Sequence, residues 1–276
     1  MTDIITPENY HDIETQRACM SSHQWSDWLS CAFATGTALC KETKESPSTA
    51  ILVGAYTDIA LLTPDLLPAW LDEHPEVMTK AGALRADYEN ANVMVARLQR
   101  DPVVKKLLNG EHQWIVTGEI GGMPWRGMLD VIQPEKEVFV DLKTVGLKPG
   151  ESLVDKTEYD RKAGVRLPWY DFWGYWRQMA VYRELIRQQY DKQFRPIILA
   201  VSKPTPASPE PDIAAFSFED DARLDEELED IKQKAAEVEL WRNETDLSKL
   251  PRCENCAACR ATKIMPMMQA QNRGLM

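Results

Sequence analysis

Apolar and aromatic positions recur at helical spacing from Ser22 to Cys40, where Trp25, Trp28, Leu29, Ala32, Phe33 and Leu39 share one face and Ser21 and Ser22 are available as caps. A second helix is predicted over Ala50 to Leu62, and a longer helical region from about Val77 to Leu108. The period then shortens to two. Trp114 to Gly118, Met123 to Ile132 and Glu137 to Lys143 are β-rich runs separated by Gly121-Gly122 and by the turn Pro134-Glu135-Lys136, the pattern of an antiparallel meander. A polar stretch runs on to Leu167, too long for an ordinary connection, and in it Lys148, Lys156, Arg161, Lys162 and Arg166 outnumber the acids. An aromatic amphipathic helix (Trp169 to Tyr190), a strand (Pro196 to Ser202), a Pro-rich loop, a strand (Ile213 to Phe218) and a charged helix (Glu219 to Asn243) precede a cysteine-bearing tail. With no internal repeat, these elements predict one α/β (α+β) domain over residues 1–276. It comprises a helical front section (1–110), a central sheet with the aromatic helix (111–218), the charged helix (219–247) and the tail (248–276).

Composition narrows the picture. The chain has 276 residues, 44% of them hydrophobic and 27% charged, enough to bury a core. No run approaches the roughly 18–20 apolar residues of a membrane span; the greasiest, Ala50 to Leu62, is broken by Thr57 and Asp58. The opening MTDIITPENY lacks the basic and apolar regions of a secretory signal, so a cytoplasmic location is expected. The net charge of −11 argues against a generally basic, nucleic-acid-coating surface. That acidity is local, however: Glu219 to Asp246 holds twelve acids against four bases, a net of −8. The loop after Lys143, and the tail with Arg252, Arg260 and Lys263, remain able to approach phosphates.

The chemistry concentrates between Gly127 and Lys143. Two strands joined by a tight turn place Asp130 near the end of one and Asp141 on its partner, with Lys143 two residues on and facing the same way as Asp141. Hard oxygen donors of this kind suit Mg2+ or Mn2+, which can stabilise charge on a phosphodiester while the lysine orients or deprotonates the attacking water. Downstream, Gln178 and Tyr182 stand four apart on the aromatic helix and share a face.

These residues, in this order, resemble the D, (D/E)-x-K and Q-x-x-x-Y motifs of the PD-(D/E)xK nuclease superfamily, and within it the RecB-type and RecE-type exonucleases. The resemblance implies a restriction-endonuclease-like core, a central mixed sheet flanked by helices, in which Asp130, Asp141 and the Leu142 carbonyl hold the metal and Lys143 serves the nucleophilic water. It gives Gln178 and Tyr182 the positioning of water and DNA backbone. An N-terminal helix motif in such nucleases ends in a histidine; here Val53-Gly54-Ala55-Tyr56-Thr57-Asp58 puts Asp58 at that place, a form similar to a phage and prophage branch of exonuclease-VIII-like proteins. Glu119 is a further candidate lining residue and Arg126 a candidate phosphate contact. The implied function is a Mg2+-dependent exonuclease acting on linear duplex ends, beside a single-strand annealing protein; a ring-shaped homo-oligomer would suit such an enzyme. An endonuclease or single-strand nuclease of RecB type is the nearest alternative. A catalytically silent DNA-binding or scaffolding relative is the alternative of another class.

Six cysteines in a reducing compartment are read for metal before disulfides. Cys253, Cys256 and Cys259 form a C-x2-C-x2-C array that needs a fourth ligand. The segment Ser22 to Cys31 resembles the S-x-x-L-x-x-Y-x-x-C opening of iron–sulfur RecB-type nucleases, which implies Cys31 as that ligand and a 4Fe-4S cluster. Zinc is the alternative. Cys40 is expected as a small core residue and Cys19 as a free thiol. Either metal would be structural, closing nearly the whole chain.

Overall fold

The computed structural model describes residues 5–40, 47–161 and 163–264; Lys162 of the mixed-charge stretch and the end of the tail lie outside them. Among these residues the helices are α1 (Ile13–Ala18), α2 (Ser22–Ser30), α3 (Ala32–Cys40), α4 (Thr49–Leu62), α5 (Leu67–Glu73), α6 (Ala86–Arg100), α7 (Pro102–Leu107), α8 (Trp169–Phe172), α9 (Tyr175–Tyr190), α10 (Asp221–Asn243) and α11 (Ala257–Ala261). The strands are β1 (Glu111–Ile120), β2 (Met123–Gln133), β3 (Val138–Val145), β4 (Thr157–Asp160), β5 (Val165–Pro168), β6 (Arg195–Ser202) and β7 (Ile213–Ser217).

Five strands form one sheet in the order β1-β2-β3-β6-β7. The meander β1–β3 is antiparallel as predicted, whereas β6 runs parallel to β3 after a crossover through α9, so the sheet is mixed. Strands β4 and β5 make a separate hairpin inside the long polar stretch. Alternation along β3 splits the core in two. Val138, Val140 and Leu142 face a cluster with Leu52, Val53 and Tyr56 of α4 and Tyr88, Met94 and Leu98 of α6. Phe139 and Val145 join the opposite cluster with α9, α10, Trp25 and Trp28 of α2, and Cys259 of the tail.

Three predicted helices are broken, each for a local reason. The helix over Ser22–Cys40 divides at Cys31, which is extended at φ −165° and ψ 96° and leaves α3 to start afresh. The region from Val77 to Leu108 holds a turn closed by a Met78–Leu84 bridge around Gly82 at φ +80°. It breaks again at Asp101, whose carboxylate caps the N–H groups of Val103 and Val104 while Pro102 opens α7. The aromatic helix splits at Gly174, left-handed at φ +70°, between α8 and α9. Helices α1 and α5 carry too short a periodicity to stand out in sequence.

Candidate active site and cysteine centre

The site begins where two strands diverge. Val131 pairs with Val140 in the β2–β3 ladder, and one step further Asp130 and Asp141 fall outside it. In place of a ladder bond, Asp130 Oδ2 accepts from the Leu142 N–H at 2.6 Å. Within a strand, the N–H and C=O of one residue project to the same edge, so the Leu142 carbonyl faces the same fork.

On the α9 side, Asp141 is buried, with Oδ2 at 2.5 Å from Lys143 Nζ and Oδ1 accepting from Gln178 Nε2 at 3.2 Å. Gln178 Nε2 also donates to the Tyr182 hydroxyl at 3.0 Å, which joins the Q-x-x-x-Y pair to the carboxylate. From the other face, α4 packs on β3 and brings Asp58 into the electrostatic field of Asp130, Asp141 and Lys143. The structure therefore gathers Asp130, Asp141, Lys143, Gln178 and Tyr182 around one fork, with Asp58 of α4 facing it across β3.

Three carboxyls share one ammonium there, and their protonation records the crowding. Burial first, and then Asp141, push Asp130 up to about 7. Burial and Asp130 push Asp58 well above the carboxylate range. For Lys143 burial works downward, but Asp141, Tyr175 and Asp130 outweigh it and hold the ammonium above its ordinary range. The donor set is hard oxygen, and Gln178 Oε1 is buried with no hydrogen-bond partner. The fork thus fits a divalent cation with its water.

This predicts a pH signature. An Asp130 that titrates near 7 when folded and at 3.8 in its ordinary state keeps a proton that the unfolded chain has released between those values, so metal-free stability falls as pH rises across that window. Melting curves in EDTA at pH 5 and pH 8 check this, and Mg2+ is expected to raise the melting temperature more at pH 8.

The phenol ring of Tyr182 is seated by Gly127, where an added Cβ would lie 2.7 Å from two ring carbons and 3.2 Å from Val116. Gly127→Ala is expected to destabilise the fold by about 1–3 kcal/mol, because a buried ring must move. It should also lower turnover by displacing Gln178, which denaturant melts and kinetics on the same sample would test.

Two candidates do not belong to the site. Glu119 is exposed at the hairpin end of β1, in register with Pro124, six residues along β2 from Asp130 and so about 20 Å away. Its N–H and carbonyl are held by Gln188. Arg126 is buried; it donates to the carbonyls of Thr15 and Cys19 and stacks 5.0 Å from Tyr10, so it braces α1 and does not reach a phosphate. In the tail, Arg252 covers the Phe33 ring at 3.9 Å and donates to the Cys259 carbonyl, serving the cysteine loop.

Two neighbours were missed. The Tyr175 ring lies 5.0 Å from Lys143 Nζ. His23 on α2 opens to solvent on one side, yet burial, and then Lys143, push its imidazole below its ordinary range. Tyr175 was legible as the residue one turn before Gln178; nothing in the sequence singles out His23.

The thiol groups of Cys31, Cys253, Cys256 and Cys259 all lie within 4.8 Å of one another. Cys31 Sγ is 3.5 Å from Cys259 and 3.8 Å from Cys256, too far for a disulfide. Cys253 Sγ accepts from the Cys256 N–H at 3.3 Å, and Cys256 Sγ from the Cys259 N–H at 3.4 Å. Backbone N–H groups of Asn255 and Cys256 pull the Cys253 thiol down to about 6, while burial pushes Cys259 up to about 11. The four thiols fit a metal. Cys19 is a free thiol as expected, and buried, whereas Cys40 is exposed at the last residue of α3 and not the small core residue expected.

A mixed sheet forked between two acidic strands, with a lysine two residues on and a Gln–Tyr helix above, defines the PD-(D/E)xK nuclease class. A family model of a PDDEXK-like domain of unknown function (DUF3799) matches residues 21–262, and the chain belongs to that family. A solved structure described as a "putative exonuclease" from Eubacterium rectale shares 28% identity, covers 97% of this chain and 96% of its own, and superposes with a TM-score of 0.84. The structure of SSO0001, at 15% identity, 77% and 86% coverage and a TM-score of 0.30, carries no weight. No curated protein matches the chain.

Proposed function

We propose that this protein is a Mg2+-dependent deoxyribonuclease of the exonuclease type, working as one unit on linear duplex ends in recombination of the phage type, beside a single-strand annealing protein. The observation that carries the reading is the β2–β3 fork, where Asp58, Asp130, Asp141 and the Leu142 carbonyl would hold the cation. When bound, that cation polarises the scissile phosphate and stabilises its developing charge. Lys143, positioned by Asp141 and Tyr175, orients the attacking water, and Gln178 bridges Asp141 to Tyr182. The acidic α10 supports DNA entry from the opposite side. Incubation of linear, nicked and single-stranded DNA with the protein and Mg2+ or Mn2+ tests the reading: loss of nucleotides from linear ends supports it, and binding without cleavage of any substrate overturns it.

For the cysteine centre, sulfur spacing favours one tetrahedral ion over the iron–sulfur cluster that the N-terminal motif implies. At a Zn–S length of 2.3 Å the sulfurs of a tetrahedron lie about 3.8 Å apart, whereas a cubane spreads its four thiolates more widely. The observed 3.5 and 3.8 Å contacts match the single ion.

A further inference from the structure

Between β3, which carries Asp141 and Lys143, and α9, which carries Gln178 and Tyr182, the chain inserts the β4–β5 hairpin and α8. The insert is firmly seated: Trp169 donates its backbone N–H to the Lys156 carbonyl at 3.2 Å and its indole N–H to the Leu153 carbonyl at 2.9 Å. Its outer surface is aromatic. Trp173 is 59% exposed and stands edge-to-face with exposed Phe172, their centroids 5.0 Å apart. The left-handed Gly174 lets Trp173 turn outward while Tyr175, two residues on, lies under Lys143. On the hairpin, Tyr159 is 52% exposed and sits directly across from exposed Arg166, on the same face of the two strands.

Aromatics held open to water cost solvation that a folded core would recover; here Tyr159 pairs across from Arg166, and Trp173 stands two residues before Tyr175, whose ring lies 5.0 Å from Lys143 Nζ. We propose that Trp173, Phe172 and Tyr159 form a stacking platform for unpaired nucleobases of single-stranded DNA at the strand end, with Arg166 meeting the phosphates between them. The proposal rests on the nuclease reading for its substrate class. Base–aromatic stacking tolerates any sequence because every base has a π face, which suits an enzyme that must pass along whatever strand it meets. It would keep a frayed end apart from its complement beside Lys143.

The test measures binding in EDTA, where no cleavage occurs, with two fluorescent probes: oligodeoxythymidylate of roughly 15 nucleotides and a strand of equal length made of abasic sugar–phosphate units. Trp173→Ala is expected to weaken the thymidylate complex at least about fivefold, and Trp173→Phe, which keeps a π face, less than about twofold. The abasic strand is expected to bind wild type and Trp173→Ala alike. An exposed side chain leaves no cavity, so melting temperatures should match. Equal losses on both probes, no loss on either, or no binding of thymidylate by the wild type overturns the platform. Failure of the nuclease reading shows separately, as a wild type that stacks thymidylate but cuts nothing with Mg2+.

Discussion

Asp141→Asn and Lys143→Ala are each expected to lower the proposed Mg2+-dependent digestion of an end-labelled duplex, with single-turnover rates falling by about 10²–10³ or more. Asp141 is buried and, among the described residues, is the one carboxylate that contacts both Lys143 and Gln178, so its charge orders the ammonium and the Gln–Tyr pair together. The two variants should differ in stability. In Asp141→Asn the ammonium keeps Asp130 and Asp58 as counter-charges, and loss of Asp141 relieves a repulsion that raises both. That protein should fold and melt near the wild type. Lys143→Ala removes the cation among three acids, so its melting temperature should fall further below the wild type's as pH rises through about 7 in EDTA. Mg2+ should restore some of the difference. Full cleavage by either variant would remove the fork from the reaction.

Cys31→Ser and Cys256→Ser should lose the metal and lower the melting temperature by about 10 °C or more. A bound ion joining residue 31 to the 253–259 loop closes about 220 residues of chain. If it restrains the unfolded chain as a covalent link does, that contributes on the order of 5 kcal/mol, and at this size each kcal/mol is worth about 2–4 °C. The loop also seats α3, since the Phe33 N–H donates to the Pro251 carbonyl at 3.0 Å and Arg252 covers Phe33. Cys40→Ser is the control: Cys40 is exposed and outside the quartet, so metal content and melting temperature should hold. Metal analysis of the purified protein should find one zinc per chain in a colourless solution. A brown protein absorbing near roughly 400 nm would assign an iron–sulfur cluster instead.

The order of chemical residues along the chain was legible before any coordinate. Asp130, Asp141, Lys143, Gln178 and Tyr182 lie on elements whose periodicity is legible, and two residues along a strand or four along a helix return a side chain to the same face, whereas Asp58 came from the family resemblance alone. That arithmetic holds within one element, which is why it joined Asp141 to Lys143 and Gln178 to Tyr182. It fails between elements. Glu119 and Arg126 stand as near to Asp130 in sequence as Asp141 does, but the β1–β2 register carries Glu119 to the far end of the hairpin, and burial turns Arg126 toward α1. His23 reaches the site only because α2 packs beside α9.

Sequence by itself determined the mixed sheet's central strands, the acid–lysine pattern, the cysteine array and the concentration of negative charge in α10, since each is a property of local period or composition. Tertiary structure alone decided that the β2–β3 ladder stops just short of the aspartates, and that Arg126 braces α1. It also decided that the long polar stretch holds the β4–β5 hairpin, with exposed Phe172 and Trp173 following on α8 and its end. The physical reason is common to all three. Strand pairing, helix packing and chain closure depend on which surfaces meet, and residues far apart in the chain settle that only when the core forms.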